Sequence, residues 1–265
     1  MIDNELESTE SASSAFPVIR DVKPSAIINW LHLGLADTRR AGFSSLLYGA
    51  FFAAAGWLMY FVFSEAYGLF AGLTTGFLLL GPFLAMGLYD LSRQMELGEQ
   101  PRLIPSLIAW RPNILNVGIF SGVLVVILLI WARASLVIFA LFFEGGLPTF
   151  NDVMLSVITF KQPTFTIMYF FVGGLFAAIV FAISVVAVPL MADRKTDAIT
   201  AAIASIFACL RNPLTMLFWG FCIVVLVGFG FATSFLGLII TMPVVGHATW
   251  HAYRDVVEAN VLLSN

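Results

Sequence analysis

The chemistry open to this chain rests on few residues. Its three histidines are His32, His247 and His251, and the last two stand four residues apart. At that spacing both side chains project from one face of a helix. Arg254 or Asp255 and then Glu258 continue that face. Two imidazoles one turn apart can hold a divalent cation, and a neighbouring carboxylate can orient one ring. The HExxH pattern of zinc proteases, however, needs Glu directly after the first His, and Ala248 stands there. No third ligand is evident. The competing reading is a polar stripe at a helix exit, whose imidazoles and the nearby Trp250 and Tyr253 meet lipid headgroups or interfacial helices. The stripe is the expectation, with no metal and no cofactor. Haem fares no better, because no histidine falls in the middle of an apolar run and three histidines are too few for a haem-copper oxidase core. No Ser–His–Asp ordering, phosphate-binding glycine loop or nucleotide motif is visible, so the chain is expected not to be an enzyme.

The elements that must carry these residues are membrane helices. The chain has 265 residues, 60% hydrophobic and 11% charged, with a mean hydropathy of +0.96. A soluble domain carries roughly 25% charged residues. A chain this apolar cannot cover its surface with polar groups, so lipid is its solvent. Six apolar runs, over residues 43–63, 68–89, 113–131, 165–191, 214–230 and 235–250, are each compatible with a hydrocarbon core of about 30 Å. The expected fold is therefore an all-α integral membrane domain of six transmembrane helices over residues 20–260, preceded by a disordered acidic tail over residues 1–19. Three shorter segments, 22–40, 101–111 and 198–211, mix apolar with polar residues and read as amphipathic helices in the cytoplasmic interface. The loop over 144–164 holds Val153, Met154, Val157 and Ile158 and suggests a surface helix.

With six crossings, Lys23, Arg39, Arg40, Arg93, Arg102, Arg111, Arg194, Lys195, Arg211 and Arg254 all fall on one side, and Arg133 and Lys161 on the other. The positive-inside rule then places both termini in the cytoplasm, and Trp30, Tyr89, Trp110, Trp250 and Tyr253 read as an aromatic belt at that boundary. The basic residues are spread singly, which suits anionic lipid and gives no nucleic-acid patch. Cys209 and Cys222 lie in apolar surroundings and read as small hydrophobes.

One order recurs three times, over 22–98, 99–193 and 194–258: short segment, arginine, span, outer turn, span with an exit proline. The first and third units align over their starts without a gap, Lys23 with Arg194, Arg40 with Arg211, Gly49 with Gly220, and their second spans align as well. Pro82 and Pro243 are each followed seven residues on by an aromatic, Tyr89 and Trp250, and eleven on by Arg93 and Arg254. Three related hairpins follow, packing through glycines. His247 and His251 take the places of Met86 and Asp90 in the first unit. Pro82, Asp90, Arg93, Pro243, His247, His251, Arg254 and Asp255 are therefore the candidate functional positions. The spans carry no central acidic or basic residue, which counts against an ion-coupled carrier.

The run from Pro17 to Val22, the Trp30-Leu31 and Gly34 segment, Gly81 to Tyr89, and above all Pro243 to Asp255 resemble a family of bacterial integral membrane proteins grouped as DUF2189, a domain of unknown function. The layout is also similar to the membrane domain fused to some glycerophosphodiester phosphodiesterases. The resemblance implies a bacterial inner membrane and transfers no catalytic residue. Some members of the family carry a cytochrome c oxidase label, which three histidines do not support. Three roles follow as expectations. The first is a non-catalytic assembly, lipid-organising or accessory component, with membrane lipids and a membrane-protein partner or a second copy as partners. The second is a small transporter or channel for a neutral or amphiphilic solute. The third is a redox accessory protein.

Overall fold

The computed structural model describes residues 16–65, 67–143, 159 and 162–258, with 62–65 and 67–80 by their backbone alone. The acidic tail up to residue 15, the outer turn at 66 and the surface helix expected within 144–158 lie outside the described residues. The described chain is all-helical, apart from one antiparallel bridge between Ile19 and Val257. Four stretches are long and apolar enough to cross a membrane: Phe43–Phe61, Leu103–Phe142, Pro163–Arg194 and Pro213–Ala232. In Leu103–Phe142 only 6% of the most apolar window is buried inside the protein, so Leu115, Ile119, Val126, Val137 and Leu141 face outward. Water would not tolerate that surface, and lipid does.

The helices are α1 (Ala26–Ala41), α2 (Phe43–Glu65), α3 (Tyr67–Glu96), α4 (Leu103–Leu107), α5 (Ile114–Phe142), α6 (Pro163–Ser184), α7 (Ala187–Arg194), α8 (Ala198–Arg211), α9 (Pro213–Ala232) and α10 (Leu238–Val256). Pro163 and Pro213 stand in the first turns of α6 and α9, where a missing N–H costs nothing. Asp197 caps α8 by accepting from the N–H groups of Ile199 and Thr200. Those two bonds hold its carboxyl below the usual range. A single residue, Gly42, separates α1 from α2. Its φ of 52° is open to glycine and strained for most other residues.

Helix α10 is the centre of the packing. It touches α1, α2, α3 and α9, and thirteen of its 19 residues are buried. Protein surrounds it rather than lipid, so its own composition can be less apolar than that of the four spans. Helix α1 lies along it, burying Ile27, Trp30, Gly34, Thr38 and Ala41 on one face. A Cβ added at Gly34 would sit 2.7 Å from the backbone N of Ala248 and the carbonyl oxygen of Val244. The two backbones therefore meet with no side chain between them. Gly34→Ala is expected to destabilise the protein by about 1–3 kcal/mol through overpacking. Thermal unfolding in detergent reads this, and an unchanged midpoint would contradict the close approach.

The two other short helices behave similarly. Helix α4 rests on α3, and α8 rests on α6 and α7. Helix α8 buries Ala201, Ala204, Ser205 and Ala208, and exposes Ile199, Ile203, Phe207 and Leu210. The small face packs and the large apolar face turns out. Its amphipathicity is one of size more than polarity. Burial pushes the Cys209 thiol up to about 11, as befits a small apolar side chain on such a helix.

The prolines act differently from one another. Pro82 and Pro243 sit within continuous helices. Pro189 follows a break at Val185–Val186, where Ser205 Oγ takes the Val186 N–H at 3.1 Å. Proline cannot bond the carbonyl four residues back, and the helix parts at that point.

Residues 16–19, expected in the disordered tail, are instead tied down. Arg20 N–H donates to Val256 O at 2.7 Å and Glu258 N–H to Val18 O at 3.0 Å. Asp21 pairs with Arg211 at 2.7 Å, and Asn212 accepts the Val22 N–H at 2.7 Å. The segment finds unpaired backbone at the end of α10, which composition alone does not reveal.

Candidate functional site

Where α1, α2, α3 and α10 converge, five polar side chains from distant parts of the chain form one hydrogen-bonded line. Asp37 comes from the last turns of α1, Ser45 from the first turn of α2, Ser92 from the end of α3, and His247 and His251 from α10. Ser92 donates to Asp37 Oδ2 at 2.7 Å. A hydroxyl has one proton, so at the 2.6 Å contact between His247 Nδ1 and Ser92 Oγ the imidazole is the donor. Its Nε2 then carries a lone pair and accepts from Ser45 Oγ at 2.7 Å. His251 Nε2 donates to the same Asp37 Oδ2 at 2.9 Å. This tautomer is assigned from the network, and it gives both serine hydroxyls and the His247 N–H one acceptor each. Ser45, Ser92 and His247 are fully buried, and a buried polar network is stable only when its members are all paired in this way.

Asp37 anchors the line. Burial works to raise its carboxyl, but the hydrogen bonds from His251 and Ser92 and the charge of His251 outweigh it and leave it below the ordinary carboxylate range. A depressed carboxyl contributes stability above its unfolded value, near 3.9, and that contribution is lost as pH falls through the lower folded value. Asp37→Asn is therefore expected to flatten the acid limb of stability below about pH 4. Melting midpoints in detergent from pH 6 to pH 3 test this, and an acid limb identical to that of the unmodified protein would refute it.

The order Ser45–His247–Ser92–Asp37 parallels nucleophile, base and orienting carboxylate in acyl transfer, with one hydroxyl interposed. The absence of a Ser–His–Asp ordering, read from the sequence, is corrected to that extent. Ser45 and His247 have no exposed surface, however, and a nucleophile must reach its substrate. The line works as a fastening between four helices.

A second cluster lies beside it. Glu96 accepts from Arg254 at 2.7 and 3.0 Å and from Trp250 Nε1 at 3.1 Å. Asp193 accepts from the Tyr253 hydroxyl at 2.6 Å and stands 3.5 Å from Arg254 and 4.0 Å from Arg93. Burial and the Asp193 carboxylate drive the Tyr253 phenol far up, so it stays a donor. The Glu96 and Asp193 carboxylates hold the Arg254 charge more firmly, against the opposing effect of burial. Asp90, Arg93, Asn113, Met191, Asp193 and Trp250 border a cavity of about 70 Å³.

The residues singled out from the sequence are thus brought together only in part. His247 and His251 share the line through Asp37. Arg254 and Arg93 meet at Asp193. Asp255 accepts from Trp30 Nε1 at 2.6 Å, and Asp90 pairs within its own helix with Gln94 at 2.7 Å. Pro82 and Pro243 are buried and make no site. Among the described residues no group of three metal-ligating side chains forms. The stripe of imidazoles facing headgroups is corrected: His247 is 0% exposed because α1 and α3 close over it. The same holds for the aromatic belt, since Trp30, Tyr89, Trp250 and Tyr253 are all buried. Sequence reasoning missed Asp37, Ser45 and Ser92 altogether. The available signal was weak, polar residues where apolar runs begin and end.

No curated protein matches the chain, and no solved structure does. A family model does match, from the first turn of α3 to the last turn of α7. That stretch holds Pro82, Asp90 and Arg93 but not the 243–255 run that gave the most specific resemblance. The chain is a membrane-integral protein with apolar helices, and over residues 69–193 its likeness to the family described as predicted integral membrane protein (DUF2189) is shown.

Proposed function

We propose that the chain is a non-catalytic component of a bacterial inner membrane, with a role in assembly, lipid organisation or support of another membrane protein. In this reading it crosses the membrane six times as three hairpins, over 22–98, 99–193 and 194–258, with both termini in the cytoplasm. The observation that carries it is the order in which the short helices dock. Helix α4 of the second unit rests on α3 of the first, α8 of the third on α6 and α7 of the second, and α1 of the first on α10 of the third. That order closes a ring. Equivalent positions support it. Tyr48 of the first unit touches Ser106 of the second at 2.9 Å. Trp219, which matches Tyr48 when Lys23 is aligned with Arg194, packs edge-on against Trp30 at 5.8 Å. Fastening of this kind suits a scaffold.

The transporter alternative needs a pathway between the hairpins, and one continuous buried cluster through Met86, Val117, Leu190, Trp219 and Trp250 works against it. The redox alternative rests on His247 and His251 together, and both nitrogens of His247 are taken by hydroxyls.

Two measurements test the proposal. In a background lacking Cys209 and Cys222, single cysteines at 98 and 195 should label from the cytoplasm and one at 234 from outside. Labelling of 98 and 234 from the same side would end the six-crossing reading. Extraction in native lipid nanodiscs should retain a partner protein, a second copy or a defined lipid set, and a bare monomer would end the accessory role.

A further inference from the structure

The first and second units meet at a small apolar cluster of Ala41, Tyr48, Leu88, Leu91 and Met95, with Leu103 packed against it. Three guanidiniums stand at the ends of the segments that build it. Arg39 and Arg40 close α1, and Arg102 opens α4. All three are exposed, and no carboxylate pairs with any of them among the described residues. Gln94 engages Arg102 only through its backbone, at 2.7 Å. Glu99, three residues before Arg102, pairs with none of the three. Around them the surface is strongly apolar: Phe43 is 75% and Ile104 77% exposed, with Leu47 and Leu107 beside them.

The equivalent place between the third and first units is built differently. Arg211 matches Arg40 in the repeat, and Asp21 takes it in a two-pronged bond at 2.7 and 2.8 Å. One junction neutralises its arginine internally, and the other leaves three cations open beside exposed acyl-compatible surface. Guanidinium groups fork onto phosphate oxygens. A basic group near an anionic leaflet gains about 1 kcal/mol.

We propose that the Arg39–Arg40–Arg102 junction is a docking site for an anionic phospholipid of the cytoplasmic leaflet. The phosphate sits among the three guanidiniums, and the acyl chains lie along Phe43, Leu47, Ile104 and Leu107. This deepens the lipid-organising role and rests on the cytoplasmic placement of α1 and α4 given above.

The test uses the full chain in nanodiscs of phosphatidylglycerol and phosphatidylcholine, with retained lipids counted by native mass spectrometry. The unmodified protein should retain phosphatidylglycerol preferentially. The R39Q/R40Q/R102Q variant should lose that preference by about tenfold or more, while R211Q should keep it. Should the triple variant fail to fold, R40Q alone is expected to lose about threefold and decides the matter. An undiminished preference in these variants would overturn the proposal. So would displacement by millimolar inorganic phosphate, which would mark a site for the free ion. Cysteine labelling on the same variants keeps the two readings apart, since a lost lipid preference in a six-crossing protein bears on this site alone, and a changed topology removes the membrane reading itself.

Discussion

His247→Ala is expected to cost about 3–5 kcal/mol of stability, near the upper end for a single substitution. Two effects add. The fully buried ring leaves a cavity between α1, α2, α3 and α10. Ser45 also loses the acceptor for its hydroxyl, and Ser92 loses the donor that met its oxygen. A buried polar group left without a partner costs about 1–3 kcal/mol. His247→Asn should recover part of the loss, because its amide can still reach Ser92 from the Nδ1 side. Ser45→Ala alone should cost about 1 kcal/mol. Unfolding in mixed micelles would measure the series. A His247→Ala variant as stable as the original would mean that the line contributes nothing, and a His247→Asn variant no better than Ala would mean that only volume matters.

Trp30→Ala is expected to cost about 3–5 kcal/mol as well, for a different reason. Trp30 is fully buried although it stands in a segment that reads as interfacial. Its ring packs edge-on against Trp219, and its N–H is held by Asp255 at 2.6 Å. An indole in the headgroup region would instead be lost at little cost. Trp30→Phe separates the two contributions, since it keeps an aromatic ring and gives up about 1 kcal/mol with the hydrogen bond. The accompanying readout is proteolysis of α1. The Ala variant should open the segment between Pro24 and Gly42 to cleavage while α5 and α6 stay protected. Equal protection of α1 in both forms would contradict its anchoring through this residue.

The contrast between Trp30 and Ile28 shows what the sequence can and cannot carry. Both belong to α1, and both suit a membrane interface by type. One is fully buried and the other 76% exposed. Hydropathy and charge locate a residue along the membrane normal. They leave open the rotation of its helix, which is set by the partner, here α10, whose backbone at Val244 and Ala248 comes up against Gly34 of α1. The four apolar runs that stand as candidate spans and the character of Cys209 were legible because each depends on local composition. The polar line was not, because Asp37, Ser45, Ser92 and His247 come from four helices and have no shared spacing. The pair His247 and His251 was the visible fragment of it, and it suggested metal binding because its carboxylate and hydroxyl partners lay elsewhere.

The bridge between Ile19 and Val257 has a consequence for the timing of biosynthesis. The ribosome delivers α1 well before its seat, α10. While the residues between them are made, Trp30, Gly34 and Asp37 have no partner to pack on, and α1 must wait with that face uncovered. A chain released before Leu238 would lack α10, the element that closes the ring, and would leave the packing face of α1 bare.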